Sequence, residues 1–419
     1  MKEPKIRFKE FTGEWKKTVI GDIGTTYSGL SGKTKDDFGQ GDALYITFLN
    51  VLTNAKIDTS ILEPVNVCKN EKQNAVRKGD LLFNTSSETP NEVGLCAVID
   101  EDLENVYLNS FCFGFRVAKS NVDPKYITYL MRSPIGRKMM SILAQGATRY
   151  NLSKNNFCNS NIFLPTDEVE QESIAEYFQN LDSHIQSTTK KIESLKQVKV
   201  ASLQSMFPQE GKTTPRVRFK GFEGAWEKIQ MGQLGTTYSG LTGKTKEDFG
   251  NGDARFVTFL NVLTNAKIDT SILESVNVIQ GENQNEVKKG DLLFNTSSET
   301  PEEVGMCAVM DEDLENVYLN SFCFGFRVTD SNIESAFIAY LMRSHIGRQI
   351  MSILAQGATR YNLSKTSFCS AELLVPKTKE EQTAIANYFS NLDSQISLLS
   401  QRLEKLQQIK SACLDNMFV

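Results

Sequence analysis

The chain has 419 residues, of which 40% are apolar and 23% are charged, and this composition is typical of a folded globular protein and excludes a largely disordered one. No stretch approaches the roughly 18 to 20 apolar residues that a membrane-spanning helix needs, and the first residues lack the apolar core of a signal peptide, which indicates a cytoplasmic protein without a membrane segment. The formal net charge of −5 argues against a strongly basic protein, so any contact with nucleic acid must come from local patches.

Short strands are predicted first, in the part of the chain before residue 120. Runs rich in β-branched and aromatic residues, separated by glycine, asparagine, serine and proline, are typical of strands. Such runs occupy residues 43–51, 80–83, 95–99 and 111–117. We expect them to form one mixed sheet.

Two short helices are predicted after these strands. Asp123 is a suitable N-cap, Pro124 suits the first helical position, and the apolar residues that follow recur at helical spacing. A second helix is expected from about residue 135 to residue 143, ending near Gly146. We call the strands and these helices together the head, and we expect it to extend to residue 163.

A single long helix is predicted after Pro165, and its first turn carries Asp167 and Glu168, acidic residues that favour a helix N-terminus. Its apolar residues are separated alternately by four and three positions, which is the a/d seam of a coiled coil. The seam residues are Ile174, Phe178, Leu181, Ile185, Ile192 and Leu195, with Thr188 in the remaining place. Two arrangements fit this seam: the helix packs only on its own head, or two such helices pack on each other. We favour the second, because a helix that faces only a globular core usually has a wider apolar stripe.

The second half of the chain repeats the first. Trp226 lies 211 residues after Trp15, and Gln356 lies 211 residues after Gln145, with no insertion or deletion between the copies. This period is far longer than the roughly 20 to 50 residues of a solenoid repeat, so each copy must be a complete domain with its own core. A polar linker, residues 209–215, joins the copies. The seam of the second copy comprises Ile385, Phe389, Leu392, Ile396, Leu399, Leu403 and Leu406.

Signatures of catalysis and of cofactor binding are absent from the sequence. Neither histidine, His184 or His345, is repeated in the other copy, so histidine is not the base of a duplicated enzyme. Residues 29–34 are similar to part of a phosphate-binding loop, but Tyr27 stands where its first glycine belongs. The eight cysteines include no close C-x-x-C pair, which argues against a metal site. We therefore expect a binding protein with no cofactor and no metal.

Two further segments recur in both copies. Residues 7–15 read RFKEFTGEW, and residues 218–226 read RFKGFEGAW. Residues 146–153 and 357–364 both read GATRYNLS, and each leads through a Glu-Gln pair into the helical seam, which ends in Met-Phe at Phe207 and Phe418. Together these segments resemble the specificity subunits of type I restriction-modification systems. The first is similar to the opening of that family's target recognition domain, and the second is similar to its passage into a conserved helical region.

The resemblance implies an α+β architecture with two tandem mixed α/β target recognition domains, residues 1–163 and 216–374. It implies that two helical regions, residues 164–208 and 375–419, separate these domains and pair as an antiparallel coiled coil in a pseudo-twofold circular arrangement. It also implies a non-catalytic subunit in which each domain reads one half of a split site in double-stranded DNA. The implied partners are two methyltransferase (modification) subunits and restriction/translocase subunits, which would carry out adenine methylation and ATP-dependent cleavage.

The likeness of the two heads is a departure from the family. Its members usually carry two unlike recognition domains, whereas these two are near copies. If the antiparallel helices relate the copies by a pseudo-twofold axis, then identical surfaces face the DNA in opposite directions, as in twofold-symmetric dimers. We therefore expect a gapped site that is palindromic or nearly so. Among the positions that differ between the heads, only Arg255, which stands opposite Leu44, would add a DNA contact.

Repeated polar loops and cations are the candidate DNA contacts. Short polar groups that follow a predicted strand suit base edges, and these candidates are Thr85, Ser86, Ser87, Glu88, Thr296, Ser297, Ser298 and Glu299. Lysines in a glycine-rich stretch suit phosphates, and these candidates are Lys33, Lys35, Lys244 and Lys246. One repeated loop combines cationic, aromatic and amide groups, and its candidates are Arg149, Tyr150, Asn151, Lys154, Arg360, Tyr361, Asn362 and Lys365. The alternative for every set is an ordinary solvated surface. Four further arginines would either extend the last set or only solvate a helix, namely Arg132, Arg137, Arg343 and Arg348.

Two other functions are compatible with a duplicated chain. The first is a protein-binding scaffold with coiled-coil spacers, and the second is a duplicated enzyme that uses repeated carboxylates and lysines. A gel shift with duplex DNA separates the scaffold from a specificity subunit, since a scaffold forms no competition-resistant specific complex. Loss of turnover on replacing the repeated carboxylates and lysines would identify an enzyme.

Overall fold

The computed structural model describes residues 3–279 and 281–419, and Met1, Lys2 and Gln280 lie outside the described residues. The chain divides into two compact units. Unit 1 comprises Met1–Thr189 and Gln401–Val419, and unit 2 comprises Lys190–Ser400. Each unit therefore contains one head, the first part of the long helix that follows this head, and the last part of the other long helix.

The head of unit 1 is built from short strands. In chain order they are β1 (Lys16–Val19), β2 (Gly24–Ser28), β3 (Phe38–Ile46), β4 (Glu63–Val65), β5 (Asp80–Asn84), β6 (Ser86–Ser87), β7 (Cys96–Val98), β8 (Val106–Leu108), β9 (Cys112–Val117), β10 (Ala144–Gln145), β11 (Tyr150–Leu152) and β12 (Asn161–Leu164). Within the described part of unit 1 they form the sheets β2-β9-β5-β7, β4-β3-β8 and β10-β11-β6, and the pair β1-β12. β5 is central, because it pairs antiparallel with both β7 and β9, and all its residues are buried.

The prediction of one mixed sheet is wrong. The run at residues 43–51 divides in two, because the Thr47 side chain accepts a hydrogen bond from the Asn50 N–H and caps a helix, α1 (Phe48–Thr53). β3 therefore ends at Ile46, and it pairs with β4 and with β8 instead of joining the sheet of β5 and β9. The run at residues 111–117 starts one residue later than predicted, at Cys112.

Four further helices begin in the described part of unit 1, namely α2 (Pro124–Arg132), α3 (Pro134–Leu143), α4 (Lys154–Cys158) and α5 (Glu168–Ser205), of which α4 was not predicted from the sequence. The side chains of Asp123 and Ser133 accept hydrogen bonds from backbone N–H groups in the first turns of α2 and α3. A proline occupies the start of each of these two helices, where its missing N–H costs nothing. Both predicted short helices and the predicted long helix are confirmed.

Unit 2 repeats this order of elements with two differences: an isolated bridge between Gln356 and Asn362 replaces the counterpart of β10, and a short α-helix precedes the counterpart of β2. Its strands are β13 (Glu227–Gln230), β14 (Gly235–Ser239), β15 (Phe249–Val257), β16 (Glu274–Val276), β17 (Leu292–Asn295), β18 (Ser297–Ser298), β19 (Cys307–Val309), β20 (Val317–Leu319), β21 (Cys323–Val328), β22 (Tyr361–Asn362) and β23 (Glu372–Val375). The helices that begin in the second copy are α6 (Met231–Leu234), α7 (Phe259–Thr264), α8 (Ser335–Arg343), α9 (His345–Leu354), α10 (Lys365–Cys369) and α11 (Lys379–Asn416). The central sheet, β14-β21-β17-β19, has the same strand order as that of unit 1.

A cluster of phenylalanine rings packs against the central sheet of each head. In unit 1 the rings of Phe83 and Phe113 stack with their centroids 5.1 Å apart, and the ring of Phe157 from α4 contacts both, at 4.9 and 5.6 Å. All three side chains are fully buried, and burying each one stabilises the fold by about 1.5–3 kcal/mol. The cluster therefore fixes the end of β5, from which a long polar loop departs.

Arg132 and Arg343 are structural residues. Arg132 lies at the end of α2 and donates hydrogen bonds to the carbonyls of Cys96, Val51 and Asn54 at 2.5, 3.0 and 2.6 Å, which ties α1 to the central sheet. Burial lowers the pKa of this guanidinium. Arg343 makes the equivalent bonds in unit 2. Both alternatives considered from the sequence, a DNA-binding patch or solvation of a helix, are wrong for this pair, because both guanidinium groups are buried and bind backbone carbonyls.

The two long helices pack against each other in opposite senses within unit 1. Lys410 of α11 donates a hydrogen bond to Asp182 of α5, and the Tyr177 hydroxyl of α5 lies 3.4 Å from the Cys413 sulfur of α11. Residue numbers thus rise along one helix as they fall along the other, which is the signature of an antiparallel pair.

Unit 2 contains the same contacts with the helices exchanged. Lys199 of α5 donates to Asp393 of α11, and the Ser202 and Tyr388 hydroxyl oxygens are 2.9 Å apart. Each residue here is the counterpart, in the other copy, of a residue that makes the equivalent contact in unit 1. The predicted antiparallel pairing of the two helices is confirmed.

The seam residues pack in two ways. Early in each helix they belong to the core of the helix's own head, and these residues are Ile174, Phe178 and Leu181 in unit 1 and Ile385, Phe389 and Leu392 in unit 2. Late in each helix, Leu406 packs on the core of unit 1 and Leu195 on the core of unit 2. Of the others, Ile192 is buried, and the half-buried ones are Ile185, Ile396, Leu399 and Leu403. Both arrangements considered from the sequence therefore occur, in successive parts of each helix.

The Met-Phe pair at the end of each helix is buried in the unit that holds the other copy's head. In unit 1 the Phe418 ring stacks on the Phe178 ring at 5.7 Å and lies 5.5 Å from the Tyr126 ring. In unit 2 the Phe207 ring stacks on the Phe389 ring at 5.8 Å. Each head thus completes its core with a side chain that belongs, in sequence, to the other copy.

The hydroxyl of Tyr126 is buried and has no hydrogen-bond partner among the described residues. Its counterpart in unit 2 is Phe337, which packs between the rings of Phe207 and Trp226. A buried hydroxyl without a partner costs about 1–3 kcal/mol. We therefore expect Tyr126→Phe to raise the free energy of unfolding of unit 1 by about 1 kcal/mol, measured as slower amide hydrogen exchange in α2.

Phe337→Tyr is the matched control for this substitution. It inserts the same hydroxyl at the equivalent place in unit 2, and we expect faster amide exchange in α8. If Tyr126→Phe instead accelerated exchange in α2, the hydroxyl would have a partner, such as a bound water.

Candidate nucleic-acid interface

Asn84 holds the base of the polar loop, which we define as residues 84–92 in unit 1 and residues 295–303 in unit 2. The Asn84 side chain is fully buried; its Oδ1 accepts a hydrogen bond from the Leu95 N–H at 2.6 Å, and its Nδ2 donates to the Glu92 carbonyl at 2.8 Å. Asn295 makes the equivalent bonds in unit 2. The amide therefore ties the two ends of the loop together and fixes its shape.

Arg137 of α3 holds the far end of the same loop. It donates hydrogen bonds to the carbonyls of Asn91 and Gly94 at 3.0 and 2.9 Å, and also to the carbonyl of Val93. Burial lowers the pKa of Arg137 to about 10. Arg348 binds the corresponding carbonyls in unit 2. Neither alternative considered for these two arginines is correct, because both arginines donate hydrogen bonds to backbone carbonyls and thereby fix the position of the polar loop.

The polar loop pairs with a second segment, the basic loop, which we define as residues 149–154 in unit 1 and residues 360–365 in unit 2. β6 of the polar loop is antiparallel to β11, with Ser86 opposite Asn151 and Ser87 opposite Tyr150. Unit 2 has the same register, with Ser297 opposite Asn362. The two segments that the sequence marked separately as DNA contacts therefore form one continuous surface.

The exposed side chains of this surface differ in chemistry. Glu88, Arg149 and Asn151 are exposed, and the Arg149 Nε also donates to the Ser86 hydroxyl at 3.3 Å. In unit 2 the corresponding exposed side chains are Glu299, Arg360 and Asn362. A carboxylate, a guanidinium and an amide thus lie on paired segments, each with free hydrogen-bonding capacity.

Several other predicted contacts are less accessible. Ser86 is 6% exposed, and the Ser87 hydroxyl donates to the Glu92 carboxylate at 2.8 Å. The half-buried ones are Thr85, Ser87, Tyr150, Thr296, Ser298 and Tyr361, while Ser297 is 7% exposed. These half-buried and buried residues therefore lie beneath the exposed side chains of the surface.

Lys154 connects the basic loop to the end of β2. Its ammonium group donates to the Ser28 hydroxyl at 2.6 Å, and partial burial lowers its pKa. Lys365 donates in the same way to Ser239 at 2.7 Å. Ser28 was not among the residues chosen from the sequence, and no pattern in its neighbourhood indicated it.

The glycine-rich stretch places its two lysines differently. The Lys33 ammonium lies 2.5 Å from the Glu71 carboxylate and its side chain is only 4% exposed, and Lys244 pairs with Glu282 in the same way. The hydrogen bond from Lys33 lowers the pKa of Glu71 to about 2. Because a buried and paired ammonium is not available to a phosphate, the structure favours Lys35 and Lys246, which are exposed, over Lys33 and Lys244.

A third segment adjoins the polar loop, and we call it the aromatic turn (residues 109–111 in unit 1 and 320–322 in unit 2). The Thr85 N–H donates to the Phe111 carbonyl at 2.9 Å. Gly29 packs so closely on this turn that a Cβ there would lie 2.1 Å from the Asn109 carbonyl oxygen, so only glycine fits. The sequence placed Phe111 in a strand, but the Asn109 side chain accepts from the Phe111 N–H, and an asparagine at this place is a turn signal.

The cysteines and the acidic residues form no candidate metal centre in residues 3–279 and 281–419. No group of three or more histidine, cysteine, aspartate or glutamate side chains there is arranged to hold a metal ion. Burial raises the pKa of the Cys96 and Cys112 thiols to about 12. None of the helices in the same residues is long and apolar enough to cross a membrane.

Comparison with known proteins identifies the family. The model of the type I restriction modification DNA specificity domain matches residues 12–197 and again residues 223–408. The type I restriction enzyme EcoKI specificity subunit of Escherichia coli (strain K12) is 21% identical over 410 residues, which is 94% of this chain and 87% of that protein.

A solved structure shows the same fold. The type I restriction-modification system S subunit from M. genitalium superposes with a TM-score of 0.62 at 15% identity, covering 100% of this chain and 99% of that chain. The HsdS subunit from Thermoanaerobacter tengcongensis gives a TM-score of 0.46 at 17% identity, with 97% and 96% of the two chains covered. The chain therefore belongs to the family of type I restriction-modification specificity subunits, DNA-recognition subunits that are not themselves catalytic, and it carries two tandem copies of their recognition domain.

Proposed function

We propose that each head of this specificity subunit reads one half of a bipartite site in double-stranded DNA through its polar loop and its basic loop. The pairing of Ser86 with Asn151 carries this proposal, because it brings the exposed groups of two loops onto one surface. Glutamate accepts from the cytosine amino group, arginine binds the guanine edge, and asparagine binds the adenine edge. Glu88, Arg149 and Asn151 would provide these three kinds of contact in unit 1, and their counterparts would do so in unit 2.

The surrounding groups would position the DNA backbone. Exposed Lys35 and partly exposed Lys154 would contact phosphates, and the half-buried Thr85, Ser87 and Tyr150 would contact phosphate or sugar groups at the rim. Because the net charge of the chain is −5, these local cations carry the electrostatic attraction that the protein as a whole lacks.

The site that such a protein reads would be a gapped inverted repeat. Two observations support this: the loops of the two heads are nearly identical in sequence, and the helices that carry the heads pair in opposite senses within each unit. Identical reading surfaces on segments that run in opposite directions match DNA half-sites that are inverted.

The partners of this subunit would supply its chemistry. Two methyltransferase subunits would bind the helical regions and methylate adenine, and restriction/translocase subunits would join them for ATP-dependent cleavage in the cytoplasm. The assembly would then depend on this chain only for the choice of sequence.

Sequencing of modified adenines tests the proposal most directly. We expect DNA from cells that express this chain with its methyltransferase partner to carry methylated adenine in one gapped motif whose halves are inverted copies. A motif with unrelated halves would contradict the inverted repeat and leave bipartite recognition intact. No methylated motif, together with no specific complex in a gel shift, would contradict DNA recognition itself.

The salt dependence of binding tests the phosphate contacts. Each lost phosphate contact reduces the slope of log K against log[salt] by about 0.9. We expect Lys35→Ala combined with Lys246→Ala to reduce the slope by about 2. Lys56→Ala combined with Lys267→Ala is the matched control, because these lysines, the first exposed and the second half-buried, pair with Asp100 and Asp311 near the other end of the central sheets. An equal slope for the wild type and the first variant would remove Lys35 and Lys246 from the interface.

A further inference from the structure

Phe111 is an exposed aromatic residue within a polar surface. Its side chain is 59% exposed, and so is that of Phe322 in unit 2, whereas the next residues, Cys112 and Phe113, are buried. Two hydrogen bonds hold its backbone: the Phe111 N–H donates to the Asn109 Oδ1 at 2.8 Å, and the Phe111 carbonyl accepts from the Thr85 N–H at 2.9 Å. The ring is therefore presented to solvent from a fixed position.

The location of this ring distinguishes it from other exposed apolar side chains. Single exposed apolar residues are common on protein surfaces and by themselves show nothing. The Phe111 carbonyl, however, accepts a hydrogen bond from the Thr85 N–H. The Thr85 carbonyl in turn accepts a hydrogen bond from the Leu152 N–H at 2.9 Å, and Leu152 belongs to the basic loop. The aromatic turn, the polar loop and the basic loop are thus successive parts of one hydrogen-bonded surface, and unit 2 repeats the arrangement through Thr296.

We infer that Phe111 and Phe322 are apolar base contacts, and that each ring packs against the C5-methyl group of a thymine in the major groove of its half-site. The inference rests on the proposed function, since it assumes that these loops face DNA. Each base pair presents a distinct set of groups in the major groove, and the apolar group among them is the thymine methyl.

The rigid turn also fits this role. A side chain whose backbone is already ordered loses little entropy when it binds. The ring contributes no hydrogen bond, so it adds a preference for thymine without competing with Glu88, Arg149 or Asn151 for the polar groups of the base edges. Phe111 and Phe322 are therefore specificity-determining residues of the recognition surface.

Uracil substitution tests the inference. Each thymine of the methylated motif is replaced in turn by uracil, which lacks the C5-methyl group, and the affinity of the full chain with its methyltransferase subunits is measured at fixed salt. We expect the wild type to bind about 4-fold more weakly when one particular thymine of either half-site is replaced, as the loss of one buried methyl group implies. Phe111→Ala with Phe322→Ala should bind thymine DNA more weakly and be insensitive to uracil at those positions.

Phe111→Leu with Phe322→Leu and Ile61→Ala with Ile272→Ala serve as controls. Leucine keeps an apolar surface, so part of the preference for thymine should return. Ile61 and Ile272 are 49% exposed and lie on short 3-10 helices. Thr59 and Thr270 of these helices donate hydrogen bonds to acidic residues beyond β7 and β19, which places the helices away from the polar loops. Their substitution should change neither the affinity nor the effect of uracil.

The alternatives give different results. An equal uracil penalty in the wild type and the Phe→Ala variant, or no penalty at any thymine, would overturn the inference. A 2-aminopurine signal of unstacked bases that depends on Phe111 would also overturn it, since the ring would then insert between base pairs. Loss of methyltransferase binding by the Phe→Ala variant in the absence of DNA would overturn it as well. If the wild type failed to distinguish its motif from scrambled DNA, the proposed function itself would fail.

Discussion

Phe418→Ala is expected to destabilise unit 1 by about 3–5 kcal/mol and to leave unit 2 unchanged, although residue 418 belongs to the second copy of the sequence. The Phe418 side chain is 4% exposed, and its ring lies against those of Phe178 and Tyr126 in the core of unit 1. Truncation to alanine leaves a cavity between α2 and α5 that the surrounding rings cannot fill, and a loss of this size is a large part of the total stability of a domain.

Amide hydrogen exchange measures this effect separately in each unit. Exchange should accelerate in α2 and in the first part of α5, and it should not change in α8. Phe207→Ala is the matched control, because Phe207 fills the equivalent place against Phe389 and Phe337 in unit 2, and it should accelerate exchange in α8 alone. Loosening of α8 by Phe418→Ala would mean that each copy completes its own core.

Arg149→Ala combined with Arg360→Ala is expected to lower the affinity for the specific site by at least about 30-fold. A bidentate contact between arginine and a base is worth about 1–3 kcal/mol, and the two heads would each lose one. Each single variant should lose about the square root of the combined factor, and the two losses should be equal if the half-sites are inverted copies. A competition assay with unlabelled specific DNA, in which the full chain is bound to its methyltransferase subunits, measures these affinities.

Arg77→Ala is the control for this substitution. Arg77 is an exposed arginine just before β5, whereas the polar loop follows the other end of this five-residue strand, roughly 15 Å away. Its loss should lower the affinity little and leave the methylated motif unchanged. If Arg149→Ala weakened binding to all DNA sequences alike, Arg149 would be a backbone contact and the choice of base would lie elsewhere on the surface.

Local signals in the sequence predicted individual helices and strands, but they did not predict which strands pair with each other. Pro124 after Asp123 marked the start of α2 correctly, because capping is a property of adjacent residues. The run at residues 43–51 was misread at Thr47, since the same β-branched residue that suits a strand also caps α1. That β3 joins a separate sheet depends on its pairing with β8, a segment about 60 residues away that no periodicity reveals.

The loops of the candidate interface were located correctly from the sequence. Several of its charged residues were wrongly predicted to be exposed, because burial depends on the folded structure. Charged side chains are rarely buried without partners, so Arg132, Arg137 and Lys33 were natural candidates for the surface. Their partners include the backbone carbonyls of Val51 in α1 and Asn91 in the polar loop, and the carboxylate of Glu71, which only the folded chain brings to them. Phe111 was missed for the opposite reason, since an aromatic residue beside a strand is usually taken as core.

The seam of the long helices predicted that they pair, but it did not reveal where their ends go. Alternating spacings of four and three define an apolar edge and leave its partner open. The burial of Phe207 and Phe418 in the unit that holds the other copy's head is a property of the whole chain, and the repeated Met-Phe gave no hint of the exchange.

This exchange sets an order of events on the ribosome. Unit 2 is one continuous stretch, Lys190–Ser400, whereas unit 1 needs residues from both ends of the chain. The head that is synthesised first is therefore the last to be completed, because Phe418 emerges after everything else in the unit. At about 5–20 residues per second, translation of the intervening stretch leaves the Tyr126 and Phe178 rings without their cover for roughly 10 to 45 s.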